Sequence, residues 1–191
     1  MYDNYKGVEI RTWTHEFDGN DVLTIKADIM NTDYSTSDAP LSIGEVGLYI
    51  FDEFLEGGLF DAADSVSGES ESLVSELIDK KDEDIEDFSR IGLIHRIFIK
   101  EEYRDKGIGT HVFKTVHQYL SRVMGAEVIT LIACPIEMDH GNSLEVVNDE
   151  VKKKRLTKWY RSFGYQQLDA EENHLYIDAR LLNPIIKDFN H

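Results

Sequence analysis

The stretch Ile97-Phe98-Ile99-Lys100-Glu101-Glu102-Tyr103-Arg104-Asp105-Lys106-Gly107-Ile108-Gly109 decides how this chain is read. Residues 91–99 form an apolar run of strand length, and residues 110–124 carry Val112, Phe113, Val116, Tyr119, Leu120 and Val123 at helical spacing. The glycines at 107 and 109 therefore lie where a strand hands over to a helix. The first turn of a helix leaves backbone N–H groups without intrahelical partners, and its dipole favours negative charge, so such a turn can cradle a diphosphate. Glycine removes the Cβ atoms that would obstruct close approach and permits positive φ. Arg104 and Lys106 add cationic contacts. Alone, a Gly-x-Gly turn is equally a tight structural turn, so its surroundings decide.

Outward from the cradle, Gly125 suits a helix C-terminal cap, and residues 128–133 form a nearly continuous apolar run, as in a buried strand, stopped by Pro135. Strand, turn, helix and strand make a βαβ unit. Upstream, alternation over residues 8–17 and 22–29 around the turn cluster 18–21 predicts an antiparallel hairpin, and residues 43–51 a third strand. Residues 59–78 have helical periodicity with a weak point at Ser67-Gly68, followed by a mostly acidic connector over 80–87. That connector reads as a solvated loop or as a docking surface for a cationic partner. Downstream, residues 137–150 read as irregular and 151–163 as a helix burying Leu156, Trp159, Tyr160 and Phe163. Residues 165–168 and 175–177 read as a closing hairpin. A length of 191 residues suits one domain spanning the chain, with a helical and acidic insertion at about 57–88.

The formal net charge is -17, from 37 acidic and 20 basic residues. Binding to a phosphate backbone usually needs a basic face, so no nucleic-acid partner is expected, and cationic partners fit better. No apolar run approaches the roughly 18 residues of a membrane span, and the start lacks the pattern of a signal peptide. With the lone Cys134, this leads to the expectation of a soluble cytoplasmic protein without a membrane partner.

The quoted stretch resembles the acetyl-CoA signature of the GNAT superfamily of N-acetyltransferases, in which an apolar strand leads into Arg/Gln-x-x-Gly-x-Gly/Ala at a helix start. A second stretch, Leu156-Thr157-Lys158-Trp159-Tyr160-Arg161-Ser162-Phe163-Gly164-Tyr165, is similar to that family's apolar-Tyr-x-x-x-Gly-aromatic helix end. The resemblance covers roughly residues 90–180. It implies an α/β (α+β) fold with a mixed, mostly antiparallel sheet, a central βαβ unit, a splay at the CoA site and helices on both faces. It implies acetyl-CoA as cofactor and acetyl transfer to a primary amine, either a cationic small molecule or a protein lysine or N-terminus, by direct attack in a ternary complex. Ile97, Phe98 and Ile99 would face the pantetheine arm, and Arg104, Asp105, Lys106, Gly107, Ile108, Gly109 and Thr110 would wrap the pyrophosphate. Tyr160 would donate to the departing thiolate. A homodimer is compatible with the family.

Departures from the pattern concern the acceptor half. The family's common carboxylate base would fall at Leu93, which cannot accept a proton. His95, two residues on and so on the same strand face, is the candidate base, with Glu137 and Asp139 as alternatives. Direct attack needs no enzyme nucleophile, so Cys134 is not required. The spacing of His111 and His117 does not suit a metal, and none is expected. The family's usual order sets two helices between the first and second strands; here the extra helical segment follows the third. The basic run 152–155 stands where an Asn is often found. Two rival readings remain: a non-catalytic acyl-CoA-binding module, and an acidic protein-interaction domain with a vestigial CoA site. Acceptor identity, acyl chain length and oligomeric state are not encoded legibly.

Overall fold

A computed structural model describes residues 7–17, 22–33, 39–53, 58–81, 87–138, 143–168 and 173–181. Three strands open it: β1 (Val8–Phe17), β2 (Leu23–Asn31) and β3 (Leu41–Asp52). Helices α1 (Gly58–Val66) and α2 (Gly68–Lys81) follow, then β4 (Arg90–Ile99), a short 3-10 turn at Glu101–Tyr103, and α3 (Ile108–Gln118). Beyond these come β5 (Val128–Ile132), β6 (Ile136–Met138), β7 (Leu144–Val146), α4 (Glu150–Arg161), β8 (Gln166–Gln167) and β9 (His174–Asp178).

The main sheet runs in the order β1-β2-β3-β4-β5-β9-β8. Only β4 and β5 pair in parallel, through the α3 crossover; the other pairs are antiparallel. This is the mixed, mostly antiparallel sheet around a central βαβ unit that the sequence predicts. Helices cover both faces. On one, Leu59, Ala62 and Ala63 of α1 and Leu73, Val74 and Leu77 of α2 pack against Phe51, Ile91, Leu93, Val128 and Tyr176. On the other, Val112, Phe113 and Val116 of α3 pack against Leu48, Ile94, Ile129, Leu131 and Leu175. Strands clad on both faces read as continuous apolar runs rather than alternations, which is why residues 91–99 and 128–133 look as they do.

Local signals explain most boundaries. The 59–78 periodicity breaks at Ser67, whose hydroxyl accepts from the backbone N–H of Ser70 at 3.1 Å and so caps α2. Gly125, at φ +68, follows the last turns of α3, which continue past Gln118 as a π-helical segment over Tyr119–Val123. The Asp149 carboxylate caps α4 by accepting from Val151 and Lys152, a signal that sequence reading passed over. One expectation needs correction: residues 137–150 are not irregular throughout, because β6 and β7 pair as a small antiparallel ladder. The turn at 18–21 and the acidic residues 82–86 lie outside the described residues.

Candidate active site

Two features of β4 build the site. The first is where its partner leaves. Pairing with β5 spans Ile91 to Ile94 against Val128 to Leu131, yet β4 runs on to Ile99 beside β3. From residue 95 onward the two parallel neighbours diverge, and the β5-facing edge of Ile97, Phe98 and Ile99 is left without a strand. This is the predicted splay. The second is a bulge: Gly47 opposes Arg96 but Leu48 opposes Ile94, so His95 is the extra residue.

At one end of the gap lies the cradle. The chain leaves β4, makes the 3-10 turn and enters α3 through Asp105 at φ +57 and Gly107 at φ +76. Gly107 is the N-terminal boundary of α3, with no side-chain cap. Among the described residues, no carbonyl or side chain takes up the N–H groups of residues 105–109; Thr110 and His111 donate to the Gly107 carbonyl. The Arg104 guanidinium donates to the Ile99 carbonyl at 2.8 Å and lies 5.6 Å over the Phe98 ring. Lys106 donates to the Glu102 carbonyl at 2.7 Å. Free backbone donors, a helix N-terminus and two cations suit a diphosphate. The exposed Asp105 carboxylate, 4.0 Å from Arg155, is an unfavourable charge there, with Glu101 and Glu102 in the preceding turn. A Cβ built on Gly109 would meet only Ile99 Cδ1, at 3.6 Å, which is ordinary contact. Gly109→Ala should therefore fold normally, with an unchanged or slightly raised melting temperature since alanine favours helix by up to about 1 kcal/mol; a clear fall would mean that the glycine serves packing.

Tyr160 lies on α4, near Cys134 at the end of β5. Phe113 of α3 is the hub that places it, with ring centroids 5.2 Å from Trp159, 5.2 Å from Tyr160, 5.0 Å from Phe163 and 5.7 Å from Tyr165. Such aromatic pairs contribute about 0.5–1.5 kcal/mol each beyond their area, so α4 is held firmly. Burial pushes the Tyr160 phenol well above its ordinary range, with the neighbouring Cys134 adding to the effect. The phenol thus stays protonated and can donate. Among the described residues its hydroxyl has no hydrogen-bond partner.

The opposite side of the gap opens into a cavity of about 110 Å³, walled by Leu93, His95 and Arg96 of β4, Ile132 and Cys134 at the end of β5, the first turn of α2 and the β6–β7 ladder. His95 faces it, packed 5.2 Å edge-on from Tyr49. Tyr49 and Leu93 both belong to the α1–α2 side of the sheet, so His95 does share Leu93's face despite the bulge. Desolvation lowers the pKa of His95, with Arg96 acting in the same direction and Glu69 opposing. The imidazole is therefore neutral near pH 7 and able to accept a proton. Arg96 is engaged by Glu45, 3.1 Å away. Burial raises the Cys134 thiol, which accepts from Asn173 Nδ2 at 3.3 Å, so it is not an activated nucleophile. Glu137 points elsewhere, into an ion pair with Lys152; Asp139 lies outside the described residues. His117 is fully buried on α3, 3.3 Å from the Tyr165 hydroxyl, with a pKa lowered to about 4 by desolvation. Sequence reasoning missed Glu69 and Ser70 of α2, because only the tertiary fold brings the inserted helices to the gap.

Comparison with known proteins gives a family match over part of the chain. The model of the acetyltransferase (GNAT) family matches residues 76–140, from the end of α2 through the cradle and just past β6. No curated protein matches the chain. Among solved structures, a mutant AtaT toxin bound to the C-terminus of the antitoxin AtaR is similar at 10% identity, covering 96% of this chain and 98% of that one, with a TM-score of 0.49. A KacTA-DNA complex is similar at 14% identity over 82% and 69% of the two chains, TM-score 0.46. AtaT complexed with acetyl-methionyl-tRNAfMet is similar at 13% identity over 82% and 72%, TM-score 0.42. Two of these hold nucleic acid, which overturns the expectation that nucleic acid is excluded as a partner. The physical reason is that net charge is a sum over the surface: Lys153, Lys154, Lys158 and Arg161 of α4 gather along one groove although the whole chain is acidic. Among the described residues, no helix is long and apolar enough to cross a membrane.

Proposed function

We propose, taking as premise that residues 76–140 carry a GNAT acetyltransferase core, that this protein transfers an acetyl group from acetyl-CoA to a primary amine. The observation that carries this reading is the early end of β4–β5 pairing at Ile94 and Leu131, which leaves the edge of residues 97–99 unpaired between the His95 cavity and the uncapped N-terminus of α3. Residues 105–109 and Arg104 would hold the pyrophosphate, and the open edge of Ile97, Phe98 and Ile99 would face the pantetheine. When bound, acetyl-CoA supplies the acyl thioester. The chain contributes orientation and proton handling: neutral His95 accepts the proton of the incoming ammonium, and the Tyr160 hydroxyl offers its proton at the sulfur side. Neither Cys134 nor a metal takes part.

The test is a thermal shift. Acetyl-CoA at a hundred times its dissociation constant should stabilise the protein by about 2.7 kcal/mol. Arg104→Glu, which sets a second carboxylate beside Asp105 in the cradle, should remove that shift, while the loss of the Ile99 hydrogen bond lowers the stability of the free protein by only about 1 kcal/mol. Absence of any shift in the wild type at millimolar acetyl-CoA would sink the reading in favour of a vestigial site.

A further inference from the structure

The acceptor half of the site has no sequence motif, so its chemistry has to be read from the cavity wall. Three elements meet there: the β4 bulge carrying His95, the first turn of α2 carrying Glu69 and Ser70 with Ser67 as its cap, and β7 carrying Glu145. Apolar side chains, among them Leu93, Ile132, Ile136 and Leu144, fill the wall between the two carboxylates. Among the described residues, the only cation on the wall, Arg96, already faces Glu45. Glu69 lies close enough to both walls for its charge to oppose the fall in the His95 pKa and to add to the rise in that of Cys134. Beside it Ser70 is 3% exposed, and its hydroxyl meets only that of Ser67, at 2.9 Å. Such a pair shares one proton and has a second to donate.

An apolar wall with carboxylates at its rim matches an alkyl chain ending in an ammonium. Resting on the acyltransferase reading above, we infer that Glu69 is the acceptor-selecting residue of this site, binding the ammonium of a primary alkylamine beside His95. In the step it serves, one N–H bond of the ammonium breaks and its proton passes to the neutral imidazole, leaving a free amine and an imidazolium. Glu69 remains a carboxylate throughout and faces positive charge before and after the transfer. The start of the inserted helix α2 thus supplies an acceptor wall, while the proton-accepting role that Leu93 cannot fill stays with His95.

The test needs no turnover. 1,4-Diaminobutane is titrated at pH 7 into protein saturated with CoA, and the His95 ring signals, assigned by their loss in His95→Ala, are followed by NMR. Wild type should show saturable shifts. Glu69→Gln should weaken binding about tenfold or more, the worth of a hydrogen bond to a charged group. Glu71→Gln, on the same helix but off the cavity wall, should bind as wild type does and so controls for the loss of one negative charge. Unmoved His95 signals, equal affinity in Glu69→Gln, or equal weakening in Glu71→Gln would each overturn the inference. If CoA raises the melting temperature and one of these results appears, the Glu69 assignment alone falls; if CoA gives no thermal shift, the acyltransferase reading falls with it.

Discussion

Acetyl transfer by a Tyr160→Phe variant is expected to be about 100-fold slower in kcat than wild type, with the melting temperature and the acetyl-CoA thermal shift unchanged. The substitution removes one oxygen and keeps the ring. The packing that fixes α4, through Phe113, Trp159 and Tyr165, involves ring faces and edges and survives intact. The hydroxyl itself has no partner among the described residues, so its loss strands no buried donor or acceptor. What goes is a proton held on the phenol by burial across the physiological range. Steady-state kinetics on the best amine of a panel reads the effect; an unchanged kcat would remove the phenol from the mechanism.

The second large effect is structural. A Cβ on Gly44 would sit 2.1 Å from the Phe98 carbonyl oxygen and 3.1 Å from Ile99 Cα. Both are backbone atoms of the β4 segment that lines the gap, so no side chain can rotate to relieve the clash. In Gly44→Ala, β3 and β4 must part where β4 has no second neighbour. Overpacking of this kind should cost about 3 kcal/mol, a fall of roughly 6–12 °C in melting temperature. Gly68→Ala provides the contrast, since nothing lies within 4 Å of its added methyl and no fall is expected. Equal melting temperatures for the two variants would show that β3 and β4 yield more easily than their register suggests.

The half of the site proposed to hold the cofactor was legible in the sequence because it is local. The run 91–99, the glycines at 107 and 109 and the periodicity of α3 lie within thirty-five consecutive residues, and each has a physical reason that needs no distant partner. Tyr160 was legible through its motif. The acceptor half is made by contacts between segments far apart in the chain, so no periodicity announces it. Glu69 reads as one acidic residue among 37 until α2 is laid over the sheet. The β6–β7 ladder was missed because three-residue strands are shorter than any alternation that could reveal them. The partner expectation failed for a related reason: a total charge does not say that four cations of α4 line one groove.

The bulge at His95 carries a consequence for how this strand can change. Before it, Ile94 faces α3; after it, Ile97 does, three positions on instead of two. A chain shortened by one residue at position 95 would keep both halves of β4 facing as they do now. A deletion outside the bulge pair 95–96 would turn one half inside out, burying polar groups and exposing the core. The bulge thus holds one residue more than the register of the strand demands. A residue free of that demand can be exchanged for its chemistry alone, and in this chain it is a histidine at the mouth of the cavity.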